Sequence, residues 1–141
     1  MSPSFVLHCS QMGERGTETS TFEIGMALKR GAHQVKVVYP LDAPLNRKDV
    51  LFKFQEEFAT TGYSSLRDLA LTIKKDTDFA YIQKVNSRDG VLFPGIWNAI
   101  HVVFREYLPH GDSYCYISPW LATTCKGIAL RNPVRIPRGL G

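Results

Sequence analysis

The sequence predicts an α/β fold of the doubly wound type, in which a mostly parallel sheet carries helices on both faces. Short apolar runs alternate along the chain with longer segments of helical period, which is typical of strands and helices that follow one another. The first apolar run, Phe5 to Ser10, is apolar almost throughout, as in a parallel strand that is covered on both sides. The 141 residues, 44% hydrophobic and 21% charged, match one globular domain.

The first strand is followed by a loop, Met12 to Thr17, that contains two glycines. Gly13 and Gly16 can adopt backbone angles that are closed to other residues, so we expect a tight turn between the strand and the next helix. In folds of this type ligands bind where the strands end and the helices begin. The loop and the start of the helix, from Gln11 to Glu18, are therefore the first place to look for function.

The helix that follows has two candidate starting points. It begins at Thr17, or at Ser20 with Glu23 as the reciprocal partner of a capping box. Gly31 is expected to end it, because glycine accepts the left-handed conformation that closes many helices. The basic pair Lys29-Arg30 suits the negative end of the helix.

The rest of the chain continues the alternation. The next predicted elements are a strand over Gln34–Pro40, a helix over Asp49–Phe58 and a short edge strand at Gly62-Tyr63. A helix is then predicted from Ser65, with Asp68 three residues on, to Lys74-Lys75. Three strands follow, from Phe79 to Lys84 or Val85, over Ala99–Phe104 and over Tyr114–Ile117, and Ser118-Pro119 opens a last helix. Residues 1–125 are expected to form the domain, and residues 126–141 a tail or linker.

Composition narrows the class of protein. The net charge of +4 is spread along the chain without a basic block, so no nucleic-acid partner is expected. No apolar run approaches a membrane span of about 20 residues, and no secretory signal is evident. We therefore expect a cytoplasmic protein with at most peripheral membrane contact. The three cysteines, Cys9, Cys115 and Cys125, fit no metal pattern and are interpreted as buried thiols, and no metal site is expected.

The backbone N–H groups of the first loop could hold an anionic group such as a phosphate, with Arg15 adding a charge-assisted bond. The alternative is that the glycines only make a tight turn. The full dinucleotide fingerprint is missing, so a dinucleotide cofactor is disfavoured. Lys84 and Asp89 follow a predicted strand, where they could contact a polar ligand or belong to a solvated turn.

Four histidines are possible participants in proton transfer. His8 lies within the first strand and is expected to be structural, and His33 lies at a turn and is expected to be solvated. His110 could be oriented by Asp112 and act as a base. His101 is the second candidate base, against the alternative of a buried histidine with satisfied hydrogen bonds.

Four short motifs occur in order along the chain. They are Arg-Gly-Thr-Glu (Arg15–Glu18), His-x-Val-Phe (His101–Phe104), Pro-His-Gly-Asp-x-Tyr (Pro109–Tyr114) and Ser-x-Trp-Leu (Ser118–Leu121). With these motifs, the stretch from Phe5 to Cys125 resembles the Rossmann-like N-terminal half of GT-B glycosyltransferases of the family-4 type. The closer likeness is to a subgroup whose first loop reads Arg-Gly-Thr-Glu.

The resemblance implies the acceptor side of an enzyme that transfers a sugar from a nucleotide sugar to a hydroxyl acceptor, in a cleft between two halves. It implies no cofactor beyond that nucleotide-sugar substrate. The residues expected to bind substrate are Gly13, Arg15, Gly16, Thr17, Glu18, Lys84 and Asp89, and the catalytic candidates are His110 and His101. The donor-binding half is not within these residues and would have to be supplied separately.

Two alternatives belong to other classes of protein. One is a non-catalytic α/β module that binds a ligand or a partner, such as a second Rossmann-like half or a second copy of the chain. The other is a nucleotide-binding switch or a flavodoxin-like carrier.

Overall fold

The computed structural model describes residues 3–14, 16–73, 77–84, 90–102 and 111–116. Its elements, in chain order, are β1 (Ser4–His8), α1 (Gly16–Arg30), β2 (Gln34–Pro40), α2 (Lys48–Glu57), β3 (Ala59–Tyr63), α3 (Leu66–Leu71), β4 (Phe79–Lys84), β5 (Trp97–Val102) and β6 (Ser113–Tyr116). The six strands form one sheet in which every neighbouring pair is parallel.

The strand order is β3-β2-β1-β4-β5-β6. The chain therefore builds outward from β1 to one edge, returns to the centre, and builds outward from β4 to the other edge. This is the order of doubly wound dinucleotide-binding sheets, whose ligands lie where the direction reverses, between the carboxyl ends of the two central strands. The predicted α/β fold with a parallel, Rossmann-like sheet is confirmed, and the short edge strand predicted near Gly62 is β3. The predicted placement of helices on both faces of the sheet stays a prediction.

The sheet has a buried cluster on each side. Val6 and Leu7 are neighbours in β1 and both are fully buried, and successive side chains of a strand point to opposite faces. The cluster around Leu7 also contains Val37, Tyr39, Phe54 and Phe58, and the cluster around Val6 also contains Val38, Leu69, Ile82, Phe93 and Ile100. Burial of each large apolar side chain stabilises the fold by about 1.5–3 kcal/mol.

The end of α1 differs in detail from the prediction. The predicted terminator, Gly31, directly follows the helix, but the residue in the left-handed region is Ala32, with φ 63°. The N–H of Ala32 donates to the carbonyl of Lys29 at 2.9 Å, and the N–H of His33 donates to that of Leu28 at 3.0 Å. These two bonds form a Schellman motif in which alanine occupies the position that usually favours glycine.

Helix starts were predicted with mixed success. Ser65 caps α3 as expected, because its hydroxyl accepts a hydrogen bond from the N–H of Asp68 at 3.2 Å. The start of α1 at Gly16 lies close to the alternative at Thr17, and Ser20 lies inside the helix. The predicted capping box at Ser20 is therefore wrong.

β5 begins two residues earlier than expected, at Trp97. The side chain of Asn98 explains this: its Oδ1 accepts from the N–H of Phe93 at 2.8 Å, and its Nδ2 donates to the carbonyls of Phe93 and Ile96, each at 3.0 Å. Asn98 thereby closes the turn that contains Gly95, whose φ is 79°. The chain is already aligned with the sheet when it leaves this turn.

No helix in the described part of the chain combines the length and the apolar character needed to cross a membrane. The predicted helix at Ser118-Pro119 and the tail over residues 126–141 lie outside the described residues.

Candidate functional site

The loop after β1 is fixed in place by the loop after β2. The N–H of Met12 donates to Oδ1 of Asn46 at 2.7 Å, and the carbonyl of Met12 accepts from the N–H of Arg47 at 2.8 Å. Asn46 in turn donates through Nδ2 to the carbonyl of Pro40 at 2.8 Å. The side chain of Met12 is fully buried beneath these contacts. The two loops thus form one connected rim at the carboxyl edge of the sheet.

The two glycines of the loop do not use the left-handed region. Among the described residues, the glycines with positive φ are Gly90 and Gly95, so Gly13 and Gly16 do not use the backbone angles that glycine alone adopts readily. A Cβ added to Gly13 would lie 3.4 Å from the carbonyl oxygen of Leu45, and one added to Gly16 would meet nothing within 4 Å. Ligand contacts by these two residues stay predictions.

A buried carboxylate lies at the start of α1. Glu18 is 3% exposed, and its Oε1 accepts a hydrogen bond from the hydroxyl of Thr17 at 2.8 Å. The positive end of the helix dipole stabilises a negative charge in this first turn. Burial raises the pKa of the nearby Cys9 thiol to about 12, and the negative charge of Glu18 adds to that increase. Oε2 of Glu18 lies 3.6 Å from the position that a Cβ of Gly13 would take, so the carboxylate lies beside the loop that was expected to receive an anion.

Beside this carboxylate is a cavity of about 190 Å³ between the first loop and α2. Its lining residues are Gly13, Glu14, Glu18, Thr19, Asp49, Val50, Lys53 and Phe54. The Lys53 ammonium lies 4.2 Å from the ring centroid of Phe22. Arg47 pairs with Glu14 at 2.7 Å and with Asp49 at 2.9 Å, but these side chains are at least half exposed and the pairs add little stability.

A polar network connects β4, β5 and α1 on the other side of the loop. Nδ1 of His101 contacts the hydroxyl of Tyr81 and lies 3.3 Å from Nε2 of Gln83. The Gln83 carboxamide also contacts the hydroxyls of Ser20 and Thr21, each at 3.3 Å. Burial lowers the pKa of His101 below its ordinary value, so the neutral imidazole is favoured.

This network reaches the buried carboxylate. The hydroxyl of Thr21 donates to the carbonyl of Thr17 at 2.9 Å, and the hydroxyl of Thr17 donates to Glu18. Groups from His101 to Glu18 are therefore linked through Gln83 and the first turns of α1. The structure brings together at this edge the predicted residues Gly13, Gly16, Thr17, Glu18 and His101.

Other predicted site residues are described only in part. The backbone of Lys84 ends β4 at the same edge, and its side chain is not described. Arg15, Asp89 and His110 lie outside the described residues, so their roles stay predictions.

Two further expectations concern groups near the histidines. The expected partner of His110, Asp112, lies at the amino end of β5: its carboxylate accepts from the N–H of Asn98 at 2.7 Å. This is the edge opposite the site, which argues against Asp112 as the orienting group for a base there. His8 is buried, with Nε2 2.8 Å from the hydroxyl of Tyr63, in agreement with a structural role.

Sequence reasoning missed Gln83, Tyr81 and Asn46 as site residues. A signal for the first two was present, because polar groups alternate with Ala80 and Ile82 along a buried strand and must share one face. Asn46 had no comparable signal. It follows two prolines and precedes a helix, and asparagine is common in such turns.

The described residues contain no group of three or more His, Cys, Asp or Glu side chains placed to hold a metal ion. Comparisons of the chain with family models, with curated proteins and with solved structures found no match in any of the three.

Proposed function

We propose that this chain forms the acceptor-side wall of a sugar-transfer cleft, as in GT-B glycosyltransferases, and that a hydroxyl-bearing acceptor binds at the carboxyl edge of the sheet. The completed enzyme would transfer a sugar from a nucleotide sugar to that hydroxyl. Described residues of two of the four motifs lie at this edge: Gly16 to Glu18 in the first turn of α1, and His101 near the end of β5.

The buried carboxylate of Glu18 is the observation that carries the proposal. A carboxylate in the first turn of the helix repels a phosphate from the loop amides, but it accepts hydrogen bonds from a neutral hydroxyl. Glu18 also lines the cavity beside α2, where a small ligand would have access to the Lys53 ammonium as well. This arrangement favours a neutral polyhydroxyl ligand over the phosphate expected from the loop alone.

Ligand-observed NMR with the full chain tests the proposal. The probes are a panel of neutral mono- and disaccharides, inorganic phosphate, and nucleoside mono- and diphosphates. We expect saturation transfer to at least one neutral sugar. In Glu18→Gln its affinity should fall about tenfold or more, because a hydrogen bond to a charged group contributes about 1.5–3 kcal/mol.

Glu23→Gln is the matched control, because it makes the same change at an exposed position of the same helix. Its sugar affinity should equal that of the wild type, and the melting temperature of each variant separates binding from folding. Binding of phosphate and nucleotides with no binding of any neutral sugar would overturn the proposal.

Turnover is a separate question from binding. The full chain is incubated with a panel of nucleotide sugars and an acceptor that binds, and release of free nucleotide is followed. Sugar binding without turnover by any donor would support the acceptor wall and leave catalysis to a second half. Light scattering then shows whether that half is another copy of the chain.

A further inference from the structure

Two side chains converge on one nitrogen of the His101 ring. β4 and β5 are paired so that Gln83 lies beside His101, and their side chains therefore share a face of the sheet. Nε2 of Gln83 is 3.3 Å from Nδ1 of His101, and the hydroxyl of Tyr81 contacts the same nitrogen. The rings of Tyr81 and His101 meet edge to face, with centroids 5.8 Å apart.

The carboxamide of Gln83 contacts α1 through both of its polar atoms. Its Oε1 accepts from the hydroxyl of Thr21, which shares its proton with the carbonyl of Thr17, and its Nε2 donates to the hydroxyl of Ser20. A carboxamide nitrogen can only donate hydrogen bonds. A proton on Nδ1 of His101 would therefore point at the hydrogens of Gln83, whereas a lone pair on Nδ1 accepts from them.

We infer that Gln83 is a positioning residue that holds neutral His101 with its proton on Nε2. In this tautomer the lone pair on Nδ1 accepts a hydrogen bond from Gln83, and the N–H at Nε2 is the group that can donate to a ligand. Within the described residues, Nε2 of His101 has no hydrogen-bond partner. The ligand atom that His101 recognises is therefore an oxygen that accepts a hydrogen bond.

The tautomer rests on the geometry alone, but its use in catalysis rests on the proposed function. If sugar transfer occurs at this edge, His101 donates to an oxygen of the acceptor or donor and does not remove the proton from the attacking hydroxyl. An inverting transfer would then need its base from another residue, whereas a retaining transfer has no such requirement.

Long-range ¹H–¹⁵N NMR of the uniformly labelled full chain tests the tautomer directly, because protonated and unprotonated ring nitrogens differ widely in ¹⁵N shift. The His101 signals are identified by their loss in His101→Asn. At pH 7.5 we expect Nε2 to carry the proton and Nδ1 to show the shift of an accepting nitrogen. A wild-type ring with its proton on Nδ1 would overturn the inference.

Substitution of Gln83 shows whether it sets the tautomer. Gln83→Glu replaces the donating nitrogen with an accepting oxygen, so the proton should move to Nδ1. Gln55→Glu, the same change at an exposed position of α2, should leave the His101 signals unchanged. Unaltered His101 shifts in a folded Gln83→Glu would refute the role of Gln83.

Gln83 is 5% exposed, so a carboxylate there could prevent folding. Gln83→Met keeps the length of the side chain without its polar groups. In this variant the fraction of the Nε2-protonated form should fall, and an unchanged fraction counts against the inference. If His101 carries its proton on Nε2 but no neutral sugar binds, only the proposed function is refuted. If a neutral sugar binds but His101 carries its proton on Nδ1, only the inference about the tautomer is refuted.

Discussion

A methyl group added to Gly25 should destabilise the fold, although it improves the helix. Gly25 is a buried residue of α1, and a Cβ there would lie 2.6 Å from Cζ and 2.9 Å from Cε1 of Phe58, and 3.2 Å from Cδ1 of Leu7. The Phe58 ring cannot move aside freely, because it is 5% exposed and packs against Phe22 and Phe54 at centroid distances of 5.5 and 6.1 Å.

The magnitude follows from two opposing effects. Replacing glycine with alanine within a helix stabilises it by about 1 kcal/mol, whereas forcing extra volume into a packed core costs about 1–3 kcal/mol. Contacts as short as 2.6 Å place this site toward the upper end of that range. We expect Gly25→Ala to lower the free energy of unfolding by roughly 1–2 kcal/mol.

Urea unfolding followed by far-UV circular dichroism measures the change, and an unaltered m-value shows that the midpoint reports stability. Gly16→Ala changes the exposed first residue of the same helix, where the gain in helix propensity is small and open space surrounds the position, and it should change stability by less than about 0.5 kcal/mol. In a Phe58→Leu background the clash is removed, so Gly25→Ala should become neutral or stabilising. An equal loss in both backgrounds would refute the reasoning.

Four further predictions concern other parts of the chain. Ala32→Gly should raise the free energy of unfolding by about 0.5–1 kcal/mol in the same assay, because it relieves the left-handed strain at φ 63°, and no gain would contradict the role of that strain. Alkylation followed by peptide mass spectrometry should find Cys9 unmodified at pH 8 until the chain is unfolded, since the thiol is buried and its pKa is about 12; labelling in the native state would count against this. Because burial lowers the pKa of His101, its contribution to the free energy of unfolding is complete above the ordinary pKa of 6.5 and is lost as the pH falls through the folded pKa. Between pH 7.5 and 5.5 the wild type should therefore lose more stability than His101→Gln, and equal losses would contradict this prediction. Asn46→Ala should cost about 2 kcal/mol because the buried N–H of Met12 loses its acceptor, whereas Asn46→Asp, which keeps an acceptor oxygen, should cost less.

The strands were predicted well because their signal is local. β2 has the predicted bounds, Gln34–Pro40, β4 has the shorter of its two predicted ranges, Phe79–Lys84, and β1 differs from prediction only at its ends. Buried parallel strands impose near-continuous apolar runs, and such runs can be read without knowing what packs against them. The parallel order followed because helices between successive strands require crossover connections.

The errors arose where distant residues decide the local structure. The sequence offered Thr17 and Ser20 as starts of α1 and did not decide between them, because the preceding loop is held by Asn46 from another part of the chain. Ala32 adopts a left-handed conformation that its own side chain disfavours, since the helix end and the start of β2 fix its path.

The candidate site was predicted in part. The loop to Glu18 was expected at the ligand edge and lies there, whereas the position of His101 near the carboxyl end of β5 was not predicted. The link between them runs through Gln83, which lies 62 residues from Thr21 and 18 from His101 along the chain. Such a link becomes visible only when the strand register is known.

The bond between Asn46 and Met12 bears on how the edge could be redesigned. Because the carboxamide of one loop satisfies the backbone of the other, neither loop is an independent module. A loop grafted after β1 from another protein would leave Asn46 facing a backbone of different shape. Both loops, from Cys9 to Glu14 and from Leu41 to Arg47, would have to be exchanged together, and libraries that vary them jointly should yield more folded members than libraries that vary one alone.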